Sequence, residues 1–225
     1  ESITGANGVI IPPDGYLQGI RKICDENGIL LVADEVQTGF CRTGRMFATN
    51  YWEESGVQPD ILATAKSIAA GVPLSAIVAK EEIMEAPAPG TIGGTFCGNP
   101  LACVAALKTI EIMERDDLAG RSCEIGEKVS KRFNEWKEKY PVIGDVRGLG
   151  GMIGLEFVKN QESKEPYPEF SAAVISGCAK KGLMIEGAGT YGNVIRFLAP
   201  LVMTDEQLEA GLDIYESVIK ELLEK

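Results

Sequence analysis

Two charged residues stand directly behind apolar runs that predict short strands. Asp34 follows the run ILLVA at 29–33, and Lys66 follows DILATA at 60–65. Ligands bind at the carboxyl ends of strands in open α/β sheets, so both residues are candidates for chemistry. Asp34 could hold a metal ion, a ribose or a protonated ring nitrogen, or could simply cap backbone N–H groups. Lys66 could be a partly desolvated nucleophile or an ordinary surface lysine.

Considered together, the two residues predict a more specific chemistry. A lysine that forms an imine and an aspartate that holds a pyridinium nitrogen are the two side chains that pyridoxal phosphate chemistry requires. The aspartate keeps the ring nitrogen protonated, and the lysine later acts as the base that moves a proton. The sequence contains no histidine, which excludes Ser-His-Asp and Cys-His catalysis and most zinc sites within this chain. No metal site is predicted.

The apolar run before Asp34 predicts a strand buried on both faces, as in a parallel sheet that helices cover. Side chains alternate along a strand, so Asp34 and Glu35 are expected to point to opposite faces. Only Asp34 then belongs to the candidate site. Glu35 is expected to have a structural role.

Hydrophobic periodicity and breaker residues predict the elements that position these residues. The first part of the chain is predicted to alternate helices and strands: a helix at 15–28, strands at 29–34, 60–65 and 74–79, connections at 35–59 and 80–98, and helices at 99–115 and 118–140. Asn99 and Pro100 predict a helix start, because Asn caps a helix and Pro fits its first position.

A second unit is predicted from Pro141 onward. Its sequence predicts two strands around a glycine-rich turn, a helix at 168–181, two more strands and a final helix with Thr204 as N-cap. The predicted domains are therefore 1–140 and 141–225. The fold class is α/β, with a mainly parallel sheet and helices in the large domain and a smaller C-terminal α+β domain.

Composition narrows the class of protein further. The 225 residues carry a formal net charge of -11, which argues against nucleic-acid binding. No apolar span reaches the length of a transmembrane helix, so no membrane partner is expected. The six cysteines form no C-x-x-C pair, which is typical of reduced thiols and favours a cytoplasmic location. The chain begins with Glu1 in what looks like the inside of a domain, so a fragment of a longer protein is expected.

Five blocks of the sequence carry a family resemblance. They are LLVADEVQTGFCRTGRMFA, PDILATAKSIAAGVPLSAIV, GGTFCGNPLAC, GDVRGLGGMIGLEF and GTYGNVIRFLAPL. In this order they resemble class III aminotransferases of the pyridoxal-phosphate fold type I superfamily, over essentially the whole chain. The last block, together with APAPGTIGGTFCGNP, is most similar to the 4-aminobutyrate aminotransferase branch.

The resemblance implies how this chain would hold pyridoxal 5'-phosphate. Asp34 would bind the pyridine nitrogen, Val36 would pack on one ring face, and Gln37 would bind the ring hydroxyl. Lys66 would form the Schiff base. Thr95 would reach the cofactor phosphate of a neighbouring subunit, which implies a homodimer, although on pattern alone it could be a turn hydroxyl. The upstream half of the large domain, with its phosphate-binding loop and stacking aromatic residue, is not part of this sequence.

The resemblance also implies a substrate site at Arg196. Its guanidinium would bind the substrate α-carboxylate as a bidentate pair, although on pattern alone Arg196 could be a strand-edge arginine in a salt bridge. Relatives of the ω-amino branch usually carry a glutamate at the position of Ala6, where it gates the arginine. With Ala6, we expect Arg196 to stay available to carboxylates in both half-reactions. Arg147 is expected to form a domain-interface ion pair.

The predicted function is a ping-pong transamination between an amine donor, an amino acid or an ω-amine, and a 2-oxo acid. Racemisation, epimerisation and decarboxylation at the α-carbon use the same lysine and aspartate, so these reactions remain alternatives. A different kind of alternative is a non-catalytic, truncated module that serves assembly.

Overall fold

The computed structural model of the protein describes residues 1–224. The described chain divides into two compact units. Unit 1 comprises Glu1–Ile3 and Pro12–Gly120, and unit 2 comprises Thr4–Ile11 and the residues from Arg121 onward. No helix within residues 1–224 is long and apolar enough to cross a membrane.

Unit 1 alternates helices and strands, as predicted. Its elements are α1 (Tyr16–Asn27), β1 (Val32–Asp34), α2 (Thr49–Glu54), β2 (Ile61–Thr64), a 3₁₀ helix (Lys66–Ala69), β3 (Ala76–Ala79), α3 (Glu81–Met84), α4 (Pro100–Arg115) and the first residues of α5 (Leu118–Lys139). Local signals set the helix ends. Gly28 ends α1 in the left-handed conformation, and the Asn99 side chain accepts a hydrogen bond from Leu101 N at the start of α4, which confirms the predicted cap.

The sheet of unit 1 has the order β1-β2-β3, with β1 and β2 parallel and β2 and β3 antiparallel. Its parallel part is therefore one strand pair. The connection 35–59, which was predicted to be a loop, contains the helix α2. That helix has only six residues, so no apolar periodicity marked it in the sequence.

The first strand departs from its prediction in burial. Ala33 is buried and packs with Trp52 and Val57, but Val32 on the other face is 53% exposed. Ile77 is likewise 53% exposed, and Ile29, predicted to begin the strand, lies before it. The prediction of a strand buried on both faces is wrong for the described chain, because α1 and α2 supply apolar contacts to one face only.

Unit 2 is built on a second sheet. Its elements are most of α5, β4 (Ile143–Leu149), β5 (Met152–Phe157), α6 (Pro168–Lys180), β6 (Glu186–Ala188), β7 (Val194–Phe197) and α7 (Asp205–Leu223). The strands are antiparallel in the order β4-β5-β7-β6, so β6 is an edge strand. Thr204 and Gln207 form the reciprocal capping box at the start of α7, which confirms the predicted N-cap.

The helix α5 explains where the units divide. Phe133 and Trp136 on this helix pack with Tyr215 of α7, with ring centroids 5.0 to 5.6 Å apart. Gly126 lies so close to the turn after β4 that a Cβ there would be 2.1 Å from Gly150 O. The compact units therefore separate within the first turn of α5, about one helix length before the predicted boundary at Pro141.

Candidate functional site

Parallel pairing brings the ends of β1 and β2 to the same edge of the sheet in unit 1. Asp34, the last residue of β1, is opposite Ala63 in β2, and Glu35 N donates a hydrogen bond to Ala63 O at 2.9 Å. Lys66 follows Ala63 by three residues. The two side chains singled out in the sequence therefore lie at one carboxyl edge, where open α/β sheets bind their ligands.

The carboxylate of Asp34 is fixed by the backbone that follows it. Val36 N donates a hydrogen bond to Asp34 Oδ1 at 2.9 Å, so the predicted capping of a backbone N–H by this aspartate is present. The side chain is half-buried on the same sheet face as Val32. Its neighbour across the strand pair is the small Ala63. An ionised carboxylate accepts several hydrogen bonds, so this contact orients Asp34 and leaves acceptor capacity for a ligand.

Lys66 begins a short helix in an uncommon backbone conformation. Its φ is 50°, in the left-handed region, where a residue with a side chain is strained by about 1 kcal/mol or more. Ile68 and Ala69 of the same 3₁₀ helix are buried, and this helix packs on α4. Lys66 itself is exposed. Of the two alternatives left open for Lys66, the described residues of unit 1 thus agree with an exposed lysine and not with a partly desolvated one.

Glu35 is a buried carboxylate at the opposite side of the strand end. Its side chain is fully buried, with Oε1 accepting from Thr49 N at 2.6 Å and Oε2 accepting from Ala48 N at 3.1 Å and from the Thr38 hydroxyl. These donors solvate the charge in place of water. Glu35 thereby ties the segment after β1 to the start of α2, which gives the structural role that the sequence predicted.

The other predicted cofactor residues lie in two segments. Val36 and Gln37 are half-buried in the turn after β1, and Gln37 Nε2 donates to Glu1 Oε1 at 3.2 Å. Thr95 lies in the exposed connection between α3 and α4. In that connection it is the Thr91 hydroxyl that donates to a turn carbonyl, Ala88 O, at 2.6 Å. Unit 1 therefore gathers Asp34, Val36, Gln37 and Lys66 at one strand edge, with Thr95 on a separate exposed loop.

Arg196 lies in unit 2, on β7, and has an acidic partner. Its Nη2 is 2.8 Å from Oε2 of Glu186, the residue directly opposite it on the edge strand β6. Both residues line a cavity of about 580 Å³ whose other walls include Met184, Leu198 and Met203. The salt bridge that the strand pattern left open for Arg196 is therefore present, and its partner had no recognisable signal in the sequence.

The sequence profile described as Aminotransferase class-III matches residues 1–219. The chain belongs to the class III aminotransferase family. The resemblance found in the five sequence blocks is thus confirmed.

Class III relatives in the curated proteins match over nearly the whole chain. The probable 4-aminobutyrate aminotransferase of Bacillus subtilis is 43% identical over 220 residues, which cover 98% of this chain and 50% of that protein. The 5-aminovalerate aminotransferase of Pseudomonas putida is 45% identical over 222 residues, which cover 99% of this chain and 51% of that protein. The chain therefore spans about half the length of the curated relatives it matches.

Solved structures agree with the fold class. An aminotransferase of Bacillus anthracis superimposes with a TM-score of 0.90 at 34% identity, over 97% of this chain and 51% of that one. A transaminase from the marine bacterium Virgibacillus gives a TM-score of 0.91 at 31% identity, over 98% of this chain and 51% of that one. The two units thus have the α/β architecture of class III aminotransferases.

In this class III chain, Arg147 serves unit 2. It donates to Gly8 O at 2.7 Å and pairs with Glu156 at 2.6 Å and with Asp145 at 2.9 Å, and all these groups belong to unit 2. Burial of Asp145 would raise the pKa of its carboxyl group, but the hydrogen bond and charge of Arg147 lower that pKa overall. The prediction of a domain-interface ion pair is wrong, because Arg147 instead anchors the segment Thr4–Ile11 to its own sheet.

Proposed function

We propose that this chain is the portion of a pyridoxal-phosphate-dependent aminotransferase that carries the cofactor-anchoring lysine, and that the complete enzyme moves an amino group between an amine and a 2-oxo acid. The observation that supports it is the position of Asp34 and Lys66 at one carboxyl edge of two parallel strands. The names of the relatives suggest ω-amino acids such as 4-aminobutyrate and 5-aminovalerate as one amine class. Ala6, which has no acid to offer Arg196, instead favours amino acids that present an α-carboxylate, so the proposal keeps both amine classes.

The donor set at this edge fits the cofactor. Asp34 offers a carboxylate for a protonated ring nitrogen, Gln37 an amide for a ring hydroxyl, and Lys66 a primary amine for an aldehyde. Ala63, which lies opposite Asp34 on β2, has only a methyl side chain. Bound pyridoxal phosphate would supply an electron sink for the bonds broken at the substrate carbon.

Each predicted site residue, and Glu35 beside them, has a separate role in this proposal. Asp34, oriented by the hydrogen bond from Val36 N, would stabilise a protonated ring nitrogen through its charge. Lys66 would hold the aldehyde group of the cofactor, and its free amine would serve as the base that moves a proton at the substrate carbon. Arg196 binds the carboxylate of the substrate. Glu35 stabilises the turn that presents Val36 and Gln37.

The exposed apolar surface near Thr95 supports the proposed homodimer. Phe96, in the same connection, is 83% exposed, and Leu101, Val104 and Leu107 on α4 are 71%, 65% and 70% exposed. Their spacing places the three helix residues on one stripe, which is typical of an interface with another chain. Sedimentation of the complete protein would measure this association. A cytoplasmic location is also part of the proposal and rests on the sequence alone.

Borohydride reduction tests the assignment of Lys66. We expect the reduced holoenzyme to carry the cofactor mass on the peptide that contains Lys66, and Lys66→Ala to lose this label and nearly all transamination. Lys80→Ala is a matched control, because Lys80 also directly follows a strand of the same sheet. That strand runs antiparallel to β2, so Lys80 lies at the opposite edge. Full turnover of Lys66→Ala, or a label on another lysine, would contradict the proposal.

A further inference from the structure

The strand pair that carries Asp34 and Lys66 is short. β1 has three residues and β2 has four, and a long connection through α2 joins them, so no tight turn sets their register. Val32 and Ile77 on the face of Asp34 are exposed, so the burial of apolar side chains constrains the register from the other face only. The alignment that puts Asp34 opposite Ala63 therefore depends on further contacts.

Asp60, directly before β2, supplies such a contact at the amino end of the strand pair. Its Oδ2 accepts a hydrogen bond from Leu31 N at 2.7 Å, and its own N–H donates to Leu31 O at 2.8 Å. Leu31 directly precedes β1, so this reciprocal contact continues the register in which Val32 lies opposite Ile61. A hydrogen bond from a backbone N–H to a carboxylate is stronger than one to a neutral acceptor.

Arg21 of α1 holds the Asp60 carboxylate in this position. Its Nη1 is 2.8 Å from Asp60 Oδ2, and the two side chains are 16% and 17% exposed. The hydrogen bond from Leu31 N, followed by that from Arg21, lowers the pKa of the Asp60 carboxyl group. The acceptor for Leu31 N is therefore ionised at neutral pH and is tied to both the strand and the helix.

We propose that Asp60 is a positioning residue for the candidate site, because it sets the register of β1 against β2 from the end of the pair opposite to Asp34 and Lys66. A strand rises about 3.3 Å per residue, so a shift by one residue would move Asp34 by that distance and turn its side chain to the other face. A misplacement of about 1 Å is enough to cost about 100-fold in rate. This inference rests on the proposed function of Asp34 and Lys66 at one cofactor.

Two substitutions of Asp60 in the complete holoenzyme separate reach from charge. Asp60→Asn keeps an oxygen within reach of Leu31 N but loses the charge, whereas Asp60→Glu keeps the charge and moves it by one methylene. We expect Asp60→Glu to raise the Kd of pyridoxal phosphate about tenfold and to change the visible circular dichroism of the bound cofactor. Asp60→Asn should remain within about fivefold of the wild-type Kd and keep its dichroism. Any other order of the two variants would overturn the proposal.

Two control variants distinguish positioning from a general loss of stability. Asp25 is the other acidic partner of Arg21, at 2.7 Å, so Asp25→Glu repeats the change without touching either strand. Val57→Ala removes a buried side chain from the cluster that contains Ala33, so it lowers stability and leaves the Asp60 contact in place. Both variants should keep the wild-type Kd and dichroism. A change in dichroism as large in Val57→Ala as in Asp60→Glu would assign the effect to stability and overturn the proposal.

Amide hydrogen exchange reports the register without the cofactor. Glu35 N donates to Ala63 O at the carboxyl end of the strand pair, at 2.9 Å. A change of register in Asp60→Glu should speed exchange of both the Leu31 and the Glu35 amides, whereas faster exchange at Leu31 alone would show local fraying and overturn the proposal. If borohydride leaves no label on Lys66 of the wild type, the proposed function fails, and the exchange of Glu35 still reports separately on Asp60.

Discussion

Unit 1 and unit 2 cover their sheets to different extents. In unit 2 the central strand β5 buries successive residues on both faces, with the adjacent Met152 and Ile153 at most 1% exposed. In unit 1 the residues Val32 and Ile77 on the face of Asp34 are each 53% exposed. Unit 2 therefore buries the central strand of its sheet with its own residues. Unit 1 leaves apolar residues exposed on the sheet face that carries Asp34.

The largest expected effect comes from replacing one apolar side chain in each unit and comparing the losses in the free energy of unfolding. Trp136→Ala in unit 2 should lower the local free energy of unfolding by about 3–5 kcal/mol, because a fully packed aromatic side chain is lost. Ile77→Ala on the open face of unit 1 should cost about 0.5 kcal/mol or less. Hydrogen exchange of α5 and of β2 in the complete protein measures both values. A cost above about 2 kcal/mol at Ile77 would mean that this face is covered in that protein, which would break the comparison.

Among the described residues, Glu35 in unit 1 and Glu216 in unit 2 are buried carboxylates, and different groups stabilise them. Glu35 of unit 1 accepts hydrogen bonds from backbone N–H groups and a hydroxyl. Glu216 of unit 2 accepts from Tyr140 at 2.8 Å and pairs with Lys139 at 3.0 Å and with Arg132 at 3.2 Å. Burial would raise the pKa of Glu216, but these hydrogen bonds, with one from a further lysine, lower it from 4.5 to about 2.

Acid should therefore destabilise unit 2 through protonation of Glu216. Because the pKa of Glu216 is lower in the folded state, its contribution is complete above about pH 4.5 and is lost as the pH falls towards 2. The contribution is on the order of 3 kcal/mol. Stability measured between pH 6 and 2 should fall less steeply in Glu216→Gln, which would be less stable than the wild type at pH 6 and nearly equal to it at pH 2. Parallel stability curves would contradict the assignment.

A smaller effect is expected at the buried acid of unit 1. Glu35→Gln keeps the shape of the side chain but replaces one acceptor oxygen by a donor facing Ala48 N or Thr49 N. We expect a local loss of about 1–3 kcal/mol. Exchange rates of the Ala48 and Thr49 amides report this loss, and Glu53→Gln on the exposed side of α2 is the control. Unchanged protection of both amides would show that Glu35 does not hold the turn.

Signals that act over a few residues were sufficient to predict much of this chain. The apolar runs before Asp34 and Lys66 located both strand ends, and Asn99 and Thr204 marked helix starts because capping depends on neighbouring backbone groups. The exposure of Val32 and Lys66 could not be predicted, since it depends on which distant elements cover a face. Glu186 was missed for a similar reason, because only the register of β6 against β7 places it beside Arg196.

The junction of Asp34 and Glu35 has a consequence for insertions and deletions. Asp34 is half-buried on the open face of the sheet. The next residue, Glu35, is fully buried on the other side and accepts hydrogen bonds from the start of α2. The alternation of side chains along the strand thus places the proposed cofactor ligand, Asp34, on one face and the structural acid, Glu35, on the other. A single residue inserted within β1 would exchange these assignments without altering any side chain. We therefore expect length changes in β1 to be tolerated less than most substitutions there, a rule that sequence comparison within the family can check.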